Sequence, residues 1–135
     1  TIERMVRDLD LPVSVLACPI VRERDGLAMS SRNRYLDADA RARATAIFRG
    51  LHAASTAFAQ GERAANRLVE LVRTPIADAF DSIDYVCLVD PEQLTPSPEW
   101  AADASVMLVA ARLGSTRLID NCLLGQECLE PADPA

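Results

Sequence analysis

Lysine is absent from this sequence, and all 14 basic side chains are arginine. A mechanism that needs a lysine amine therefore cannot be completed by these residues. Histidine is nearly absent too, with His52 alone, and an ordinary helix histidine is expected there. Aromatic residues make up only 4%, so the core must be aliphatic. No apolar run approaches the roughly 20 residues that a membrane-crossing helix needs, and no membrane partner is expected. The opening TIERMVRDLDL mixes charges of both signs and lacks the apolar stretch of a secretory signal, so a cytoplasmic location is expected. Positive charge is in deficit: the formal net charge is −6, which removes any global attraction to nucleic acid or an anionic membrane. Cys18, Cys87, Cys122 and Cys128 contain no closely spaced pair. No metal site is expected from them, and buried thiols are expected rather than disulfides.

What is present is ordinary globular material: 135 residues, half hydrophobic and a quarter charged. Ile2, Met5, Val6 and Leu9 recur at helical spacing, and Pro12 closes that segment. The apolar run Val13–Ile20 suits a strand buried on both faces, as in a parallel sheet. Val21–Arg34 then turns polar, with an Asp25-Gly26 turn signal and arginines at 22, 24, 32 and 34. Asp37 reads as a helix N-cap, with Asp39 where the helix dipole favours an acid. Ala44, Ile47, Phe48, Leu51, Ser55 and Phe58 mark one face of a helix ending near Gly61. A second helix carries Ala65, Leu68, Val69 and Val72, and Pro75 is expected to kink or restart it. Ile83–Val89 reads as a strand. Val106–Leu113 and Arg117–Asn121 flank Gly114-Ser115-Thr116 as a hairpin. The tail after Gly125 is expected to fray.

The fold class expected is α+β: helices packed on a three-stranded, largely antiparallel sheet, preceded by a helix and strand from the end of a parallel sheet. The expected divisions are residues 1–36, 37–125 and a tail at 126–135.

One constellation could carry chemistry. Ser30, Ser31 and Arg32 follow the carboxyl end of the expected parallel strand, where open α/β sheets bind ligands. Hydroxyls and loop N–H groups donate to phosphate oxygens, and arginine offers a planar, permanently charged fork. On the residues alone, a non-catalytic anion- or protein-binding domain fits equally well. Arg22, Arg24 and Arg34 can equally be surface charges balancing Glu23, Asp25 and Asp37.

The string PIVRERDGLAMSSRNRYL, Pro19–Leu36, resembles the ATP-phosphate loop of the pantothenate synthetase (pantoate–β-alanine ligase) family. That loop is the family's version of the KMSKS loop of class I aminoacyl-tRNA synthetases and related nucleotidylyltransferases. MVRDLDLPV before it resembles the family's entry helix and strand, and LVAARLGSTRLIDN resembles its C-terminal hairpin. The resemblance implies a Rossmann-like domain ending near Leu36, and an ATP-dependent ligase that condenses pantoate with β-alanine through a pantoyl adenylate. It implies that Ser30, Ser31 and Arg32 contact the ATP phosphates, Arg32 countering charge in the transition state. Met29 would lie beside the nucleotide, and Val21 would hold the adenine end through its backbone. Mg²⁺ would accompany the triphosphate, held by phosphate and water oxygens. The family's paired histidines, lysine and pantoate-binding glutamines belong to an N-terminal half not found here. The chain is thus expected to be the C-terminal part of such a ligase and inactive alone, with another KMSKS-type nucleotidylyltransferase as the alternative. Two conformational expectations follow. Arg22–Asn33 should stay loose, with nothing to close against. Residues 1–20 should pair with a second copy in a homodimer, or fold back on a sheet edge.

Overall fold

Helical periodicity in the middle of the chain and strand periodicity at its end produce two layers. The computed structural model describes residues 2–97 and 99–125. Four helices are α1 (Ile2–Asp8), α2 (Ala38–Ala44), α3 (Ala46–Ala59) and α4 (Ala65–Ala79). Three strands follow, β1 (Ser82–Val89), β2 (Val106–Leu113) and β3 (Thr116–Leu123). They form one antiparallel sheet in the order β1-β2-β3, so β3 is an edge. The α+β reading holds.

Asp37 caps α2 as its sequence predicts, its carboxylate accepting the Ala40 N–H at 2.8 Å. The aliphatic faces of α3 and α4 then cover one side of the sheet. Ile47, Leu51, Leu68, Val72 and Ile76 share a core with Val86, Met107 and Val109. The two helices meet closely because Gly50 has no side chain: a Cβ there would stand 2.9 Å from the Val72 backbone.

Pro75 neither restarts nor ends α4, which runs through it. The carbonyl that loses its N–H partner belongs to Leu71, a residue on the exposed side of α4.

Val13–Ile20 departs from expectation. Every residue from 11 to 20 is exposed and none joins a ladder. A strand is stable only when neighbours take its N–H and C=O groups, and among the described residues none are offered. The fold-back onto a sheet edge is likewise not formed. Cys18, in this run, is exposed rather than buried, whereas Cys87 is half-buried and Cys122 buried. Cys128 and the tail expected to fray lie outside the described residues.

Candidate functional site

Val21–Met29 doubles back as a small hairpin. The Met29 N–H donates to the Val21 carbonyl at 2.9 Å, and the Glu23 N–H donates to the Leu27 carbonyl at 2.8 Å. Gly26 turns the corner with φ +88°, a conformation that costs glycine little. It also lies against Phe48 of α3, whose ring a Cβ would strike.

The hairpin is not loose. Leu27 is 4% exposed and belongs to the main core. Arg22, read from sequence as a candidate surface charge, is buried. Its guanidinium grips Asp120 of β3 in bidentate fashion, at 2.7 and 3.2 Å, and donates to the Gly26 carbonyl at 3.1 Å. It also stands 5.4 Å from the centre of the Phe48 ring. Both charged side chains are only 3% exposed. The physical reason for the correction is on β3: Leu118, Asp120 and Cys122 all point inward. A carboxylate in that row needs a buried cation, and Arg22 supplies it.

Glu23 and Asp25 are balanced by Arg41 of α2, at 2.7 and 2.6 Å. Hydrogen bonds from Arg41 first, and from Asn33 second, hold the Glu23 carboxyl below its ordinary pKa. Arg41 does the same for Asp25. Arg34 lies over its neighbour Tyr35, 5.1 Å from the ring centre. Arg24 is exposed.

Beyond the hairpin, Ser30 caps a 3-10 turn, Ser31–Tyr35, by accepting the Arg32 N–H at 3.2 Å. The turn packs against β3. Asn33 ties the two pieces together, its amide donating to Glu23 at 2.8 Å and to the Ala28 carbonyl at 3.1 Å. Its Oδ1 is buried with no partner among the described residues.

Between this loop and β3 lies a cavity of about 240 Å³. Met29, Ser30, Arg32 and Asn33 line it from the loop, and Arg117 and Asp120 from β3. Three of the five expected site residues thus share one cavity: Met29, Ser30 and Arg32. Ser31 and Val21 do not line it, although both are exposed nearby in the chain. The Arg32 guanidinium makes no hydrogen bond or ion pair among the described residues. Arg117 and Asp120 escaped the sequence reading. Asp120 left a trace, as a charge in the inward register of an apolar strand, and Arg117 left none.

A hydroxyl and an uncommitted guanidinium beside an exposed apolar side chain suit a polyphosphate joined to a flat base. They do not suit a bare cation, since Asp120 is already committed to Arg22. Among the described residues no group of three His, Cys, Asp or Glu could hold a metal ion. Fold and site together define an α+β domain that sets a polar loop, with one uncommitted guanidinium, against the edge strand of its own sheet.

Comparison with known proteins fixes the family. The model of the Pantoate-beta-alanine ligase family matches residues 1–123, and the chain belongs to that family. It is 50% identical over 123 residues to pantothenate synthetase 1 of Bradyrhizobium diazoefficiens, covering 91% of this chain and 43% of that protein. It is 48% identical over 124 residues to the bifunctional pantoate ligase/cytidylate kinase of a Nostoc species, covering 91% of this chain and 23% of the relative. Among solved structures, pantothenate synthetase from Thermus thermophilus superposes with a TM-score of 0.83 at 38% identity. That match covers 91% of this chain and 44% of the other. The chain spans less than half the length of these relatives.

Proposed function

We propose that this chain forms the phosphate-side wall of an ATP-dependent ligase that joins pantoate to β-alanine, and that it catalyses nothing without the rest of such a ligase. The observation that carries this reading is the uncommitted Arg32 guanidinium, sharing a cavity with Ser30 and Met29.

In the first half-reaction the pantoate carboxylate attacks the α-phosphorus of ATP and pyrophosphate leaves. Negative charge then grows on the departing phosphate oxygens. Arg32 meets that charge with a planar fork that cannot lose its proton. The Ser30 oxygen already accepts the Arg32 N–H, which leaves its O–H to donate to a phosphate oxygen. Ser31, exposed next to Ser30 in the chain, adds a second hydroxyl. Met29, 63% exposed, lies where the nucleotide packs. The Val21 carbonyl already accepts the Met29 N–H, and the Val21 N–H is a backbone donor for adenine. These residues offer no carboxylate set for Mg²⁺, which therefore travels with the triphosphate on phosphate and water oxygens. ATP and Mg²⁺ are cytoplasmic supplies, and the ligase works in that compartment. The exposed apolar run from Leu11 to Val21 supports a homodimer, since such a run seeks a strand partner.

Exchange of labelled pyrophosphate into ATP tests the reading in a full-length ligase carrying this sequence. Pantoate-dependent exchange is expected. Exchange with a different acid or a nicotinamide nucleotide would assign the chain to another nucleotidylyltransferase, and none with any acid would leave a binding domain.

A further inference from the structure

The open face of the sheet holds more positive charge than its own stability needs. Arg112 of β2 and Arg117 of β3 stand directly opposite one another in the strand register. Like charges in that relation repel and weaken a sheet. One carboxylate serves both: Asp84 accepts from the Arg112 Nε at 3.1 Å and from the Arg117 Nε at 2.6 Å. Two cations against one anion leave a net positive charge, on a chain whose total is −6.

Asp84 reaches both arginines because β1 is bulged there. Ile83 pairs with Ala111 and Tyr85 with Ala110, so Asp84 is the extra residue. A bulge breaks the in-and-out alternation and re-aims side chains. Here it turns Asp84 and Tyr85 to the same exposed side, while Ile83 and Val86 remain turned towards the core. Asp84 then takes the Arg117 Nε, and the Arg117 guanidinium stands 5.9 Å from the Tyr85 ring centre. The group is aimed yet reachable, its side chain 40% exposed. The Tyr85 side chain hydrogen-bonds the same guanidinium, a smaller contribution than that of Asp84. Of the two opposed arginines, Arg117 lines the cavity that holds Ser30 and Arg32, and Arg112 does not.

We propose that Arg117 is a second phosphate-binding residue of this site, working from the β3 wall together with Arg32, its guanidinium aimed by Asp84 and Tyr85 on the β1 bulge. The ligand class is a di- or triphosphate, long enough to extend from Arg32 on the loop towards Arg117 on β3, two residues that line the same cavity. The inference rests on the phosphate reading of the cavity given above, and adds to it a residue from a distant part of the chain.

The test is a titration of this chain with inorganic pyrophosphate at low salt, followed by the NMR signals of the Ser30–Arg32 amides and the Arg117 Nε–H. Arg32→Ala and Arg117→Ala should each weaken binding about tenfold, the order expected for one charge-assisted hydrogen bond. Arg112→Ala removes the same charge beside the same Asp84 but outside the cavity, and should change binding less than about twofold. If Arg117→Ala behaves like Arg112→Ala while Arg32→Ala still weakens binding, the inference is overturned and the phosphate reading stands. If Arg32→Ala binds as the parent does, or the parent does not bind, the phosphate reading fails and the inference with it. Should Arg117→Ala not fold, the parent decides: an Arg117 Nε–H that stays fixed while the Ser31 amide moves overturns the proposal.

Discussion

Removing Arg22 should cost this domain more stability than removing any other arginine discussed above. Consider Arg22→Met, which keeps an unbranched chain of similar reach and deletes the guanidinium. Asp120 would lose both bonds of its bidentate pair while remaining 3% exposed. Breaking a buried pair from one side costs about 3–5 kcal/mol, because the abandoned charge stays desolvated. The Gly26 carbonyl would lose its donor as well, worth about 1 kcal/mol. One offset remains: Asp120 keeps the Asn121 N–H at 2.8 Å. The expected loss is therefore about 3–5 kcal/mol, a large share of the roughly 5–15 kcal/mol that holds a typical domain together. Urea unfolding followed by circular dichroism reads it directly, as a lower midpoint at unchanged slope. The double variant Arg22→Met/Asp120→Leu should recover most of the loss, since an apolar pair leaves no buried charge. A single-variant loss below about 1 kcal/mol, the range of an exposed pair, would refute the reasoning.

Three further outcomes follow from the same contacts. Glu23 and Asp25 have folded pKa values below their ordinary ones, chiefly through Arg41. Their contribution is therefore full above the ordinary carboxylate pKa of about 4, and is lost as pH falls through the depressed folded values. The Gly26 amide signal should report that loss in acid, and Arg41→Ala should move its midpoint upward; an unmoved midpoint would contradict the pairing. Gly50→Ala should lower stability by about 1–3 kcal/mol despite alanine's better helix propensity, because the Val72 backbone cannot yield. Thermal unfolding checks this, and a stabilised variant would mean that α3 and α4 are not in close contact. Light scattering should show self-association of the 135-residue chain but not of a version beginning at Val21, which lacks the exposed Leu11, Val13, Val15, Leu16 and Ile20. A longer chain that stays monomeric at high concentration would exclude the apolar run as a dimer surface.

The helical stretches and the terminal hairpin were legible because each writes its period into consecutive residues, although the one helix read from Asp37 to near Gly61 is two, α2 and α3, parted at Thr45. Ile47 and Leu51 repeat at helical spacing in α3, as Leu68 and Val72 do in α4, and the Asp37 cap and the Gly114 turn punctuate the pattern. Val13–Ile20 misled for a physical reason, since an apolar run states what a segment buries against only when its partners are present. Whether Pro75 restarts the helix depends on whether water reaches the orphaned carbonyl. That is set by which face of α4 is exposed.

At the site, Met29, Ser30 and Arg32 could be singled out because they are neighbours in sequence. Arg22 and Asp120 could not be paired in advance, being 98 residues apart. The Asp84 bulge is equally silent, since nothing in Ser-Ile-Asp-Tyr announces which residue the partner strand will skip. Neighbours along the chain were readable as one group, and the long-range contacts that hold them in place were not.

The central claim is that Arg32 meets charge developing on ATP phosphates. The measurement that bears on it most directly is the rate of pantoate-dependent ATP–pyrophosphate exchange in a full-length ligase carrying this sequence, before and after Arg32→Ala. The account predicts a fall of about a hundredfold, roughly 3 kcal/mol of transition-state stabilisation. Arg32→Lys should restore only part of it, because an ammonium cannot present a planar fork. Exchange that proceeds at the parent rate in both variants would contradict the account.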